Sequence, residues 1–132
     1  FAWLIRLSRA AKRQKRSDQI MREFHHIGLP TDESQPGEYF VEDTKVWVTD
    51  PRNHPYLIEY LRFEADSPVS GPVRDMPHVA YRVDDIDAEL VGENVLIEPF
   101  EPSPNFTVAF ILKDGAVVEF MKFENESDLP WK

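Results

Sequence analysis

The chain has 132 residues, 42% of them apolar, enough for one globular domain with a core of its own. It carries 24 acidic and 15 basic side chains and no cysteine. That excludes a disulfide framework, thiolate catalysis and cysteine-based zinc sites, and it fits a cytoplasmic location. No apolar run approaches the roughly 18–20 residues of a membrane span, so none is expected.

Charge divides the chain. Residues 1–22 hold seven basic side chains (Arg6, Arg9, Lys12, Arg13, Lys15, Arg16 and Arg22) and one acid, Asp18. The rest has eight basic and 23 acidic residues. An acidic body is a poor surface for nucleic acid, and no such partner is expected. Trp3, Leu4, Leu7, Ala10 and Ala11 form one stripe over residues 2–16, which predicts an N-terminal helix. Its apolar part precedes the charges, unlike a signal peptide. Residues 1–22 therefore read as a basic helical extension, either solvated or outside the natural domain.

Short strand-like runs follow at 23–29, 45–49, 56–63, 77–83, 94–98, 106–112 and 116–123. The turn signals "DPRNHP", "DSPVSGP", "EPSPN" and "KDG" separate them. Asp84 reads as the N-cap of a short helix over 85–92, with Asp87 in its first turn. The stretch "TDESQPGEYFVED" reads as loop, "SPVSGP" as a linker between two halves, and 125–132 as a C-terminal tail.

The halves repeat. "LIEYLRFE" (57–64) and "VVEFMKFE" (117–124) match in residue type at every position. "HHIGLPTD" (25–32) sets against "PHVAYRVD" (77–84), which pairs His26 with His78, Gly28 with Ala80 and Asp32 with Asp84. Each half thus opens on a histidine-bearing strand and closes on a glutamate-bearing one. Internal duplication is a fold-level signal that outranks any single motif.

The chemistry should lie at the repeated polar positions. Glu59 shares a strand face with Leu57, Leu61 and Phe63, and Glu119 with Val117, Met121 and Phe123. A carboxylate among apolar neighbours is costly unless paired, protonated or bound to metal. The plain alternative is a partner from the backbone or from Arg62, Arg82 or Lys122. Two equivalent carboxylates and two equivalent histidines favour a shared metal. His26, Glu59, His78 and Glu119 would supply two imidazoles and two carboxylates, a set that suits zinc, nickel, cobalt, manganese or ferrous iron. Such an ion, with positions left for substrate oxygens, would act as a Lewis acid in proton abstraction beside a carbonyl, with Glu59 or Glu119 as base. His25 has only Pro77 opposite it in the repeat and is expected on the other face of the sheet. His54, in "PRNHP", reads as an exposed turn residue.

At these residues the chain resembles the vicinal oxygen chelate superfamily, the group of glyoxalase I, methylmalonyl-CoA epimerase, extradiol dioxygenases and bleomycin-resistance proteins. "FHHIGLP", "LIEYLRF", "PHVAYRVDDID" and "VVEFMKF" carry the likeness, which spans about 23–124. The resemblance implies an α+β fold of two βαβββ modules, 23–66 and 75–124, in a cupped mixed sheet. The helix of the first module is reduced to a loop. It also implies the metal ligands His26, Glu59, His78 and Glu119. No match to glutathione-holding residues is present. The expected function is a metal-dependent isomerase, epimerase or lyase acting on a small oxygen-chelating substrate, with Glu59 and Glu119 catalytic. The rivals are a small iron dioxygenase, a metal-free resistance-type binder, and a regulatory domain docked through its basic segment. Exposed sheet edges suggest a homodimer.

Overall fold

The computed structural model describes residues 21–132. The helix predicted over 2–16 lies outside the described residues. Eight strands form one curled mixed sheet: β1 (Glu23–Pro30), β2 (Tyr39–Val41), β3 (Val46–Val48), β4 (Ile58–Phe63), β5 (His78–Arg82), β6 (Asn94–Ser103), β7 (Phe106–Lys113) and β8 (Ala116–Lys122). Two short helices accompany them, α1 (Pro72–Asp75) and α2 (Ile86–Leu90).

The strand order is β2-β3-β4-β1-β5-β8-β7-β6. The two histidine strands, β1 and β5, are adjacent and antiparallel at the centre. Each has its own glutamate strand beside it in parallel, β4 next to β1 and β8 next to β5. The repeat in the sequence is therefore a repeat in strand pairing, and it brings all four polar positions to the middle of one sheet.

Side chains alternate between the faces. The concave face carries the larger core, which includes Val46, Val48, Leu61, Val108, Val117 and Met121. The convex face of the second half packs Ala109, Ile111 and Phe120 against Ile86 and Leu90 of α2. No helix forms over 31–38, the corresponding connection in the first half.

Three expectations need correction. The helix is shorter than 85–92, and its N-cap is Asp85, whose carboxylate accepts the Ala88 N–H at 3.1 Å. In "VDDID" either aspartate satisfies the pattern, and only the backbone turn selects one. An Asp85→Ala variant should lose about 1 kcal/mol in denaturant unfolding, and Asp84→Ala under about 0.5 kcal/mol. Equal losses would contradict this capping assignment. Next, β2 lies inside the stretch read as loop. Its three residues are too few to show a period. Lastly, β6 runs to Ser103, through Pro99 and Pro102, rather than stopping at 98. It is an edge strand with repeated register shifts, where proline costs no central ladder bond.

Two stretches read as connections also contribute to the core. Val69 and Val73, in and after "SPVSGP", are buried. Beyond a short turn at Glu126–Asp128, Leu129 and Trp131 are buried as well. Arg52 donates to the Trp131 carbonyl at 3.0 Å, and the Ser103 hydroxyl donates to the Asp128 carbonyl at 2.6 Å. The tail thus closes over the cup.

Candidate metal centre

Register builds the centre. Across the β1–β5 junction, Gly28 lies opposite His78 and Ala80 opposite His26. Glu59 sits beside Gly28, and Glu119 beside Ala80. Each histidine thus projects over the small residue of the opposite strand. A Cβ at Gly28 would lie 2.0 Å from His78 Cε1, so the imidazole occupies the space of the missing side chain. Leu57 enters β4 at φ +57°, uncommon for a bulky residue. Its carbonyl accepts the Ile27 N–H at 2.9 Å, which ties the start of the Glu59 strand to β1.

His26, Glu59, His78 and Glu119 are buried, with relative exposures of 1%, 5%, 3% and 7%. One potential ligand atom from each lies within 4.8 Å of the others. His26 Nε2 is 3.3 Å from Glu59 Oε1 and 3.4 Å from Glu119 Oε1. His78 Nε2 is 3.7 Å from Glu59 Oε1 and 3.1 Å from Glu119 Oε1. Among the described residues, neither Nε2 atom has a hydrogen-bond partner of good geometry. Four donor atoms converge on one point rather than pairing off.

The basic residues weighed as alternative partners are engaged elsewhere. Arg62 forms a two-pronged contact with Glu38, with the closer bond at 2.8 Å. Arg82 lies over the Phe123 ring and donates to the Phe123 carbonyl at 2.6 Å. Lys122 is exposed. Burial disfavours a charge on His26, but Glu59 and then Glu119 override it and raise its pKa to about 10. Burial would also raise Glu119, yet the close imidazoles of His26 and His78 bring it down to about 2. One proton on His26 offsets at most one of two buried carboxylates. A divalent cation would offset both and would satisfy the two orphaned Nε2 atoms, so the residues fit a metal.

His25 departs from expectation. A bulge between Phe24 and His26 in the β1–β5 pairing turns it back toward the cluster instead of to the other face. Its Nδ1 lies 2.7 Å from His26 Nδ1, and its ring stacks on Trp131. Burial, then the neighbouring His26 charge, lowers His25 to about 4, so its ring is neutral. His26 then donates from Nδ1–H to His25 Nδ1 and directs Nε2 at the centre, the way a metal-binding imidazole is oriented. Strand alternation concealed this role, because a bulge has no sequence signature here. His54 is in its turn, half-buried, with Nδ1 accepting the Tyr56 N–H at 3.0 Å.

A cavity opens beside Glu59, His78 and Glu119, with about 70 Å³ open to the centre of a water-sized sphere. Trp131 lines it too, although nothing in "SDLPWK" announced that.

A scan of protein-family models and a search of curated proteins find no match. Among solved structures, the chain is similar to a hypothetical protein of Bacillus halodurans. The two are 18% identical with a TM-score of 0.60, over 80% of this chain and 96% of that one. At this identity the likeness shows a shared fold. A curled mixed sheet around a buried His/Glu cluster is consistent with a fold of the vicinal oxygen chelate type.

Proposed function

We propose that the protein is a divalent-metal-dependent enzyme of glyoxalase type. It would catalyse proton transfer next to a carbonyl of a small oxygen-chelating substrate, as an isomerase, epimerase or lyase. The proposal includes paired βαβββ modules over 23–66 and 75–124, the helix of the first reduced to a loop. The observation that carries it is the convergence of four buried His and Glu ligand atoms within 4.8 Å, two of them imidazole nitrogens with no hydrogen bond among the described residues.

His26, Glu59, His78 and Glu119 would hold the ion. When bound, the ion supplies Lewis-acid stabilisation of negative charge on a substrate oxygen. The chain's own residues do the rest. Glu59 and Glu119 occupy equivalent places in the two halves, so one can take a proton from a substrate carbon and the other can return it. His25 keeps His26 oriented. The apolar cavity wall keeps water from competing for the proton. The open edges at β2 and β6 leave room for a homodimer, and the absence of cysteine suits the cytoplasm.

A metal-free binding protein is the competing reading. The proton held on His26 up to about pH 10 favours it, because the cluster then partly neutralises itself. Metal analysis of protein purified without chelator separates the two. The enzyme reading expects close to one divalent transition-metal ion per chain, and its loss in His78→Ala. Metal-free protein, equally stable with and without added zinc, nickel, cobalt, manganese or iron, would overturn it.

A further inference from the structure

We propose that the cavity beside the cluster receives a small molecule, uncharged away from the cluster, whose apolar body is the size of one six-membered ring. Its oxygen atoms lie at one end, turned to the His/Glu cluster and to Trp131 Nε1. The oxygen end rests on the reading of the cluster as a metal centre. The apolar body rests on the cavity alone.

Size comes first. The positions open to the centre of a water-sized sphere fill about 70 Å³, so the space that ligand atoms can occupy is larger by a layer of that sphere's radius. A cavity of about 150 Å³ accommodates benzene, so one ring with a short polar head fits here.

The wall sets the chemistry. Val46, Val48, Leu61, Val108 and Phe110 line it from β3, β4 and β7. Polar side chains enter from the cluster side, as Glu59, His78 and Glu119, and at Thr44. Among the described residues that line it there is no lysine or arginine. A carboxylate or phosphate held against this wall would lose its water and gain no partner, and the two glutamates would repel it. A neutral apolar body loses nothing there.

Trp131 supplies the orienting contact. Its ring stands edge-on to His26 at 5.8 Å between centroids, and its indole Nε1–H is buried with no hydrogen-bond partner among the described residues. A buried donor of this kind is uncommon unless a ligand or water completes it. An oxygen of a molecule seated at the cluster would do so.

The test is calorimetry on cobalt-loaded protein with a pair of chelators that share one head group, benzohydroxamate and acetohydroxamate. Benzohydroxamate is expected to bind at least about tenfold tighter, since only its ring reaches the apolar wall. At equal size, 4-carbamoylbenzohydroxamate should bind at least about tenfold tighter than 4-carboxybenzohydroxamate. Trp131→Phe, checked for folding by its melting curve, should weaken benzohydroxamate about three- to tenfold. Equal affinities within either pair would overturn the assignment of the apolar body. An unchanged Trp131→Phe would remove the donor. Benzamide and acetamide on chelator-treated protein separate this inference from the metal reading. Protein that takes up no cobalt yet prefers benzamide at least about tenfold keeps the cavity assignment and loses the metal centre. Protein that binds cobalt without any ring preference does the reverse.

Discussion

Replacing Gly28 by alanine is expected to lower divalent-metal affinity by about a hundredfold or more while the chain still folds. The added Cβ would meet Cε1, Nε2 and Nδ1 of His78 at 2.0, 2.4 and 2.5 Å. No side-chain carbon tolerates such contacts, so the imidazole must leave its place. His78 is 3% exposed and packs edge-on against Phe110, so it cannot tilt aside and keep Nε2 at the centre. The glycine is thus needed for the absence of a side chain, not for backbone freedom. A matched control is Gly37, where a Cβ would meet nothing within 4 Å but φ is +73°. Gly37→Ala should cost about 1 kcal/mol of stability and leave metal affinity unchanged. Titration against a competing chelator, with melting curves of the metal-free variants, gives both readings. A Gly28→Ala protein that holds metal as tightly as the parent would show that His78 is not a ligand in this position.

The alkaline decline of stability is expected to be cancelled when metal is added. In metal-free protein His26 is raised from 6.5 to about 10. Its protonated form therefore stabilises the fold fully below about pH 6.5, and that contribution fades as pH climbs toward 10. Glu119 is lowered from 4.5 to about 2. Its contribution is complete above about pH 4.5 and is lost as pH falls toward 2. His25, lowered from 6.5 to about 4, costs stability as pH falls below about 6.5. Metal-free protein should thus melt highest near about pH 6.5 and decline on both sides. Metal needs the lone pair that the His26 proton occupies. Uptake between about pH 7 and 9 should therefore release about one proton from His26, and apparent affinity should rise about tenfold per pH unit. The melting increment from added zinc should then grow from about pH 6 to 9 as metal-free stability falls. Melting curves across this range, and calorimetry in buffers of different ionisation enthalpy, measure each part. Metal-free stability that climbs from pH 7 to 9, or uptake without proton release, would show that His26 is not the protonated member of the cluster.

Much of the candidate site was legible because duplication filters accidents. One glutamate on an apolar strand face is ambiguous, but Glu59 and Glu119 at matched positions, with His26 and His78 likewise matched, are not. The smallness of the paired Gly28 and Ala80 was also visible in that comparison. Its meaning was not, since sequence matching cannot show that each lies opposite the other half's histidine. His25 was misread because strand alternation holds only where the ladder is regular, and a bulge interrupts it between Phe24 and His26. Trp131 and Leu129 sit in a short polar tail with no period to read, and Trp131 packs on residues distant in the chain, His25 of β1 and Arg52.

Strand periodicity, the repeat and the four polar residues at its matched positions are local patterns, and comparing one chain with itself is enough to find them. Which side chains face one another is settled by the fold. Register across β1 and β5 sets His78 over Gly28, a bulge brings His25 behind His26, and the tail carries Trp131 to the cavity wall. These are contacts between segments far apart in the chain, fixed by backbone pairing and by the space that packing leaves, and no local pattern encodes them.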